Sequence, residues 1–447
     1  MGGLFTSLLN STGALQVYGR VFSVVQNNIT NANTPGYVKQ EQALVAMPFD
    51  PSAGLSGGVF PGPMQSSRSV YLEQAVRDQS KLLGDAQQRA SDLSQVEPLF
   101  QVSGQAGVPS ALNKFFGSFS QLSVNPNDQV SRQNVIEASR QVAEAFHQNA
   151  IGIQRTSSNV DSEIRNAMTL VNDLAERIAG INRHYRANSE ASQDAGLESL
   201  AEVVDFSAIR TSDGTFSIYV GGQTPLVISD HTFAVSGDFS TPQTVIRDFQ
   251  GNDITARLQS QGGTLGAMLE VKNATLPGYL TSLDTIAQSF ADSINTKLAQ
   301  GVDRNGLAPA TNLFTYNASL GSAFTLSVTN ITPDQIAAAD AAAPGGNGNA
   351  IAIAQLTYAP VVGGFTVTQA YGDLGAQVGR DIGNARQDVS AQRDLVNQAK
   401  ARRAETSGVS LDEEAAKILQ FQQAYQAVGK LVGVLNSLTD SIMDIMR

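Results

Sequence analysis

Metal coordination, nucleophilic attack and general acid–base catalysis each draw on a few side-chain types, and this chain supplies little of them in usable spacing. Cysteine is absent, which removes thiolate metal sites, thiol nucleophiles and disulfide frameworks together. His147, His184 and His231 lie far apart, and none falls in a metal-ligand spacing. Asp412-Glu413-Glu414 could supply acid or base chemistry, but carboxylates at a helix start more simply complement the macrodipole. Asp303-Arg304-Asn305-Gly306 opens like a calcium loop yet lacks the later ligands and the closing glutamate, so a tight turn is expected. Gly345, Gly346 and Gly348 do not lead a strand into a helix in a phosphate-binding pattern. Met1-Gly2 with Thr6 fits a myristoylation pattern and Asn28-Ile29-Thr30 a glycosylation sequon; both patterns are short and arise by accident, and both are discounted. The chain is therefore read as a structural subunit, not an enzyme, with no catalytic, cofactor-binding or metal residues.

Composition narrows the partners. The 447 residues are enough for two or three domains with real cores. With 29 basic against 40 acidic residues and a net charge of -11, no Lys/Arg cluster can neutralise a row of phosphates, so nucleic acid is excluded. No apolar run approaches the roughly 18 residues needed to span a bilayer, so no membrane insertion is expected. Met1 to Gln16 has no basic segment ahead of its apolar residues, and no cleaved signal of the usual kind is expected.

The expected fold is mainly α with a β insert, in a nested architecture: terminal coiled-coil helices, a long-helix bundle domain and a small β domain. Leu8, Leu15, Tyr18, Phe22, Val25 and Ile29 recur at steps of three and four, the stripe of a first helix. It should stop in Asn31-Ala32-Asn33-Thr34-Pro35-Gly36, because Pro35 biases Thr34 away from the helical region. Tyr37 starts an extended segment, and Pro48, Pro51, Pro61 and Pro63, interspersed with Gly54, Gly57, Gly58 and Gly62, make the stretch to about Met64 a long ordered or semi-ordered loop. A helix follows to about Pro98. From Asp128 to Tyr185 two rows run in step, Phe146, Ile153, Val160, Ala167, Leu174 and Ile181 beside Ala150, Ser157, Ile164, Val171, Ile178 and Tyr185. They predict a rod-like helix. From Asp205 to Gly263 the period changes to two, with strands at Phe216–Val220, Leu226–Ile228 and Phe233–Val235. Helical spacing returns at Leu276 to Ile294 and at Ile382 to Ala399, and a last helix opens at Ser410 with Glu413 placed to close a capping box. Its stripe includes Ile418, Phe421, Tyr425, Val428, Val432 and Leu435. The predicted division is 1–45 with 405–447 as the terminal helical domain, 46–204, 264–304 and 365–404 as the helical bundle, 205–263 as the β domain, and 305–364 as an irregular Ala/Gly/Asn-rich segment with short strands.

The two ends carry almost no charge. Through Val38 only Arg20 is charged, and from Ala415 to Thr439 only Lys417 and Lys430 are. A solvated helix face normally carries far more. Leu9, Val17, Val21, Val24, Leu419, Leu431 and Val434 lie outside the main seam, so one partner helix cannot cover the apolar surface, and burial on several sides in a homo-oligomer is favoured over an ordinary antiparallel pair closing a monomer. Such ends should be mobile in the monomer and ordered in the assembly.

Asn27-Asn28-Ile29-Thr30-Asn31-Ala32-Asn33-Thr34-Pro35-Gly36-Tyr37 resembles the N-terminal signature shared by bacterial flagellar rod, hook and hook-associated proteins. Ser407 to Ala416, followed by Phe421-Gln422-Gln423-Ala424-Tyr425-Gln426-Ala427, resembles the flagellar hook-associated protein 1 family, as does Gly262 to Leu269. The resemblance implies a secreted, extracellular subunit of the flagellum, exported through the type III channel and self-assembled into a ring that joins hook to filament. Its implied partners are itself, the hook protein, the next junction protein and an export chaperone at the C-terminal helix. On this reading Leu8, Leu15, Tyr18, Phe22, Val25 and Ile29 pack on Phe421, Tyr425, Val428, Val432 and Leu435, while Asn31, Asn33, Pro35, Gly36 and Tyr37 form either a helix stop or a hinge. Rival readings are a hook or distal-rod subunit, which Phe421 to Ala427 disfavour, a membrane-inserting secretion-system translocator, which the Lys/Arg-poor polar faces disfavour, and a binding or hydrolytic module in the β insert.

Overall fold

The computed structural model describes residues 2–50, 55–100, 107–184 and 190–445. Met1 and Tyr185, and Pro51 and Gly54 of the expected loop, lie outside the described residues.

The chain starts with α1 (Gly2–Asn31) and, after a turn, enters strands β1 (Gln40–Asp50) and β2 (Leu55–Ser66), paired antiparallel from Gln40↔Ser66 to Asp50↔Leu55. This hairpin replaces the long loop expected up to Met64. Prolines broke the alternation that would have revealed it, yet they are tolerated because both strands are edge strands with one side free of ladder bonds. Helix α2 (Val70–Ser94) is capped by Ser69. Then comes α3 (Gly107–Val124), a helix the sequence reading passed over although Val108, Leu112, Phe115, Phe119 and Leu122 recur at steps of four and three and are fully buried.

The long helix α4 (Gln129–Arg183) runs 55 residues, roughly 80 Å. Asp128 caps it, its Oδ2 accepting from the Ser131 amide at 2.8 Å. Both of its rows face the interior: Phe146, Ile153, Val160, Leu174, Ile164, Val171 and Ile178 are buried. Helix α5 (Glu190–Val203) leads to β3 (Phe206–Arg210), β4 (Phe216–Val220), β5 (Thr224–Ile228) and β6 (His231–Thr232), a four-stranded antiparallel meander, and then to the hairpin of β7 (Ser236–Asp238) and β8 (Val245–Arg247). Phe233–Val235, expected as a strand, instead links β6 to β7. The Val235 amide and carbonyl bond the Asn172 side chain on α4, both at 3.0 Å, so an amide side chain takes the place of a neighbouring strand.

Helices α6 (Thr255–Gln261) and α7 (Gly263–Glu270) continue through a π turn at Val271–Thr275 into α8 (Leu276–Gln300), where Pro277 sits at the start. The buried Lys272 ammonium on that turn reaches Asp161 at 2.7 Å and Ser157 Oγ at 2.8 Å. The stretch expected to be irregular contains β9 (Gly301–Val302) paired with β12 (Ala339–Asp340), β10 (Phe314–Thr315) paired with β11 (Ser327–Val328), and short helices α9 (Ser322–Thr325) and α10 (Gly348–Gln355). It closes over the body: Leu313, Phe314, Ala323, Ile336 and Ala338 are buried in the main core. Phe115, Phe290 and Phe314 form the centre, with ring centroids 5.1 to 5.8 Å apart. Helix α11 (Val367–Ser407), started by a Thr366–Gln369 capping box, returns along α2, and α12 (Leu411–Ile445) runs back beside α1.

Candidate functional site: the neck and the terminal helix pair

The apolar stripes meet as an antiparallel pair. The end of α1 lies beside the start of α12, the Tyr18 and Phe421 rings are 5.9 Å apart, and Phe22 and Tyr425 meet edge-on at 6.3 Å. Offset and edge-to-face contacts of this kind add about 0.5–1.5 kcal/mol beyond the area they bury. The two helices are covered unequally. On α1, Val17, Val21 and Val25 are buried, whereas Leu8, Leu15, Tyr18, Phe22 and Ile29 are half-buried. The hairpin accounts for the extra cover, because Val17 borders a shallow cavity whose opposite wall is Met47, Val59 and Phe60. Val17 and Val21, assigned from sequence to an intermolecular surface, are thus covered within the chain itself. On α12 the only buried side chain is Glu414. Ile418, Phe421, Val428, Val432 and Leu435 are half-buried, Tyr425 is 43% exposed, and Leu419, Leu431, Val434 and Leu438 are exposed.

The neck that joins this pair to the body is built around Asn28. Its Oδ1 accepts from the Tyr37 hydroxyl at 2.7 Å and the Gln40 amide at 3.0 Å, while its Nδ2 donates to the Gln40 carbonyl at 2.8 Å and Glu414 Oε2 at 2.9 Å. Asn28 and Glu414 both have zero exposure. The sequon asparagine is therefore inaccessible and spends its amide on the neck. Glu414, read from sequence as a macrodipole residue, is the C-terminal half of that contact. Glu413 does not close the expected capping box: Ser410 Oγ accepts the Glu413 amide at 3.4 Å, but the Glu413 carboxylate turns to Lys39 at 3.2 Å. Lys417 reaches back to Glu41 at 2.6 Å, a contact that holds the Glu41 carboxyl below its ordinary range.

Backbone bonds tie the crossing segments together. The Lys39 amide donates to the Ser407 carbonyl, the Ser67 amide to the Lys39 carbonyl, and Ser407 Oγ to the Ser67 carbonyl, at 2.9, 2.9 and 2.8 Å. Among the hinge candidates, Asn31 bonds back to Asn27 and accepts from Thr34, Asn33 and Pro35 are exposed, and Tyr37 is held by Asn27 and Asn28. Gly36 has φ +74 and packs on α5; its carbonyl accepts from Arg68 at 2.7 Å. Arg68 then reaches Glu73 and Asp194, at 3.1 and 2.5 Å, and Arg403 from α11 reaches Glu73 and Glu198, at 3.0 and 2.9 Å. Burial pushes the Asp194 carboxyl up to about 6 even against the pull of Arg68. Sequence reasoning missed Asn28, Ser407, Arg68, Glu73, Asp194 and Arg403 as functional positions, since a polar residue in a stripe carries no local sign that it is buried.

A Cβ on Gly36 would meet the Ala191 carbonyl oxygen at 2.3 Å, at a φ that side chains disfavour. Gly36→Ala is expected to destabilise the chain by about 2–4 kcal/mol. Denaturant unfolding checks this; an unchanged midpoint would show that the turn does not pack on α5.

The histidines do no joint chemistry: His147 Nδ1 faces the Phe324 carbonyl at 2.6 Å, His184 follows the end of α4, and His231 contacts its neighbour Asp230. Asp303 folds into a tight turn, its Oδ1 accepting from the amides of Asn305 and Leu307 at 2.7 and 2.9 Å. No group of three or more His, Asp or Glu side chains able to hold a metal occurs among the described residues, and no helix among them is long and apolar enough to cross a membrane.

A long helical body with N- and C-terminal helices clasped together at one end, and most of the last helix left open, defines a structural subunit made to pack with others. Comparison with known proteins agrees. A family model described as the flagellar hook-associated protein FlgK helical domain matches residues 93–314, and one described as the C-terminal region of flagellar basal body rod FlgEFG proteins matches 401–445. The flagellar hook-associated protein 1 of Bacillus subtilis (strain 168) is 25% identical over 503 residues, covering 100% of this chain and 99% of that protein. That of Escherichia coli (strain K12) is 21% identical over 551 residues, covering 100% of both. The flagellar hook junction protein FlgK from Burkholderia pseudomallei shares the fold, with a TM-score of 0.67 at 15% identity over 76% of this chain and 100% of that one. These matches support the flagellar hook-associated protein 1 family, a family of structural proteins and not of enzymes.

Proposed function

We propose that the chain joins the flagellar hook to the filament by assembling with copies of itself into a ring. The observation that carries this is the unequal cover of the terminal pair: α1 is packed on two sides within the chain, while the outer faces of α12, with Leu419, Leu431, Val434 and Leu438, are open and nearly uncharged. An apolar helix held at a fixed angle is suited to burial between neighbouring subunits. In this reading 1–45 and 405–447 form the inner tube, while 46–204, 264–304 and 365–404, the β domain 205–263 and the 305–364 segment project outward. Asn31 to Tyr37 set the angle between the two parts, as a braced joint more than a free hinge, since Asn28, Arg68 and α5 hold the turn at separate points. Neighbours would be the hook protein and the next junction protein. Before assembly the chain would pass the type III channel to the cell exterior with a chaperone on α12. Two relatives aligned along their full lengths favour the junction over a rod or hook position, to which only the 401–445 match points.

The test is addition of purified chain to isolated hooks that lack it. Electron microscopy is expected to show a collar at the distal hook end with the full chain and none with the chain ending at Ser410. A collar formed equally well without α12, or binding along the hook side, would overturn the proposal.

A further inference from the structure

In the last turn of α2, Asp92 has zero exposure and its Oδ2 has no hydrogen-bond partner. Glu163 reaches toward it from the middle of α4. A single amide holds the two acids together: Gln88 Nε2 donates to Asp92 Oδ1 at 2.8 Å and to Glu163 Oε2 at 2.6 Å. A buried carboxylate and a half-buried one bridged by a single NH2 group cannot both ionise cheaply, and the free carbonyls at the end of α2 oppose negative charge at Asp92 further.

The surrounding cations are engaged elsewhere. On α2, Arg89 pairs with Asp85 and with Glu270 of α7, at 3.1 and 2.7 Å. On the π turn, Lys272 is taken by Asp161 at 2.7 Å. On α11, Arg386 is held by Glu97 at 2.7 Å, though it also reaches Ser94 Oγ at 3.4 Å. On α4, Arg165 lies over the Phe239 ring at 4.0 Å. Among the described residues no Lys or Arg forms an ion pair with Asp92 or Glu163.

We infer that Asp92 and Glu163 share one proton, and that this proton fastens α2 to the long helix α4, so that the seam loosens when it is released. In the protonated state the shared hydrogen supplies the partner Asp92 Oδ2 lacks; in the doubly ionised state two like charges face each other with only Gln88 between them. Burial, with Glu163 adding to it, pushes the Asp92 carboxyl up to about 7. The folded chain therefore keeps a proton that the unfolded chain has already given up. The resulting stability is complete below the ordinary aspartate range, near pH 4, and is lost as pH rises through about 7.

The experiment is thermal unfolding of the full chain between pH 6 and 8.5, for the native sequence, Asp92→Asn and Glu163→Gln. The Asp194 carboxyl, which burial pushes to about 6, titrates at the lower edge of this window in all three proteins alike, so the difference between native chain and variant removes its contribution. The native Tm is expected to fall by ~1–2 °C more than that of Asp92→Asn across the window. Asp92→Asn should show the shallower slope and be the more stable of the two at pH 8.5, and Glu163→Gln should reduce the slope as well, guarding against a single variant that fails to fold. A part that is only packing would shift Tm equally at every pH. Parallel pH slopes in the native chain and both variants would overturn the inference. So would stabilisation of the native chain, but not of Asp92→Asn, by millimolar calcium or magnesium at pH 8.5, since the pair would then hold a cation in place of a proton.

Discussion

Asn28→Leu is expected to open the neck. The substitution keeps most of the side-chain volume but removes four hydrogen bonds at once, leaving Glu414 Oε2, the Gln40 amide and carbonyl and the Tyr37 hydroxyl without their buried partner. Orphaned neutral groups cost about 1–3 kcal/mol each where water cannot reach them, although Glu414 keeps Lys417 at 3.4 Å and the Tyr37 hydroxyl keeps Asn27 at 3.0 Å. Relaxation will recover part, so a loss of about 3–5 kcal/mol in local stability is expected. Glu414→Gln retains an acceptor for Asn28 and should cost far less. Hydrogen exchange on the full chain separates these cases. Residues 20–40 and 408–425 should lose protection in Asn28→Leu while 107–400 keep theirs. The far ends, 2–16 and 428–445, are expected to exchange quickly in every version, since helices without their neighbours gain too little to offset chain entropy. Equal protection of 20–40 in the native chain and in Asn28→Leu would show that Asn28 does not hold the neck.

The terminal stripes, the long helix and the last helix start were legible because they depend on local periodicity and capping, which survive any tertiary arrangement. The hairpin was not, because its pairing is a relation between Gln40 and Ser66 that no local pattern encodes, and its prolines look like loop residues until one knows that both strands are edges. The same limit explains Val17 and Val21. Their apolar character was visible, but whether another subunit or this chain's own hairpin covers them depends on a strand pair not yet recognised. Helix α3 was a plain omission, since its spacing was as regular as that of α2. The neck was half legible. The motif from Asn27 to Tyr37 identified the family, yet its physical content, an asparagine that pins two termini separated by 386 positions, appears only when Glu414 arrives beside it.

Tyr425→Asp should separate folding from assembly most sharply. In the single chain the Tyr425 ring touches Phe22 edge-on and is 43% exposed, so an aspartate there can turn its carboxylate to water. The expected cost to the isolated chain is the lost ring contact, about 0.5–1.5 kcal/mol, and the melting of the body should hardly move. If α12 is covered by neighbouring subunits, the same carboxylate must be buried without a partner, which costs about 3–5 kcal/mol at each contact. That corresponds to roughly a 100- to 4000-fold loss of association, compounded at every contact needed to close a ring. Phe22→Asp belongs to a different category, since Phe22 lies half-buried against α12 within the chain and should weaken both the helix pair and the assembly. Tyr425→Phe keeps the ring and should assemble normally, which excludes a role for the hydroxyl. The measurement is collar formation on isolated hooks beside a melting curve of the same preparation. Normal collars from Tyr425→Asp would mean that the open face of α12 is not the surface on which subunits meet.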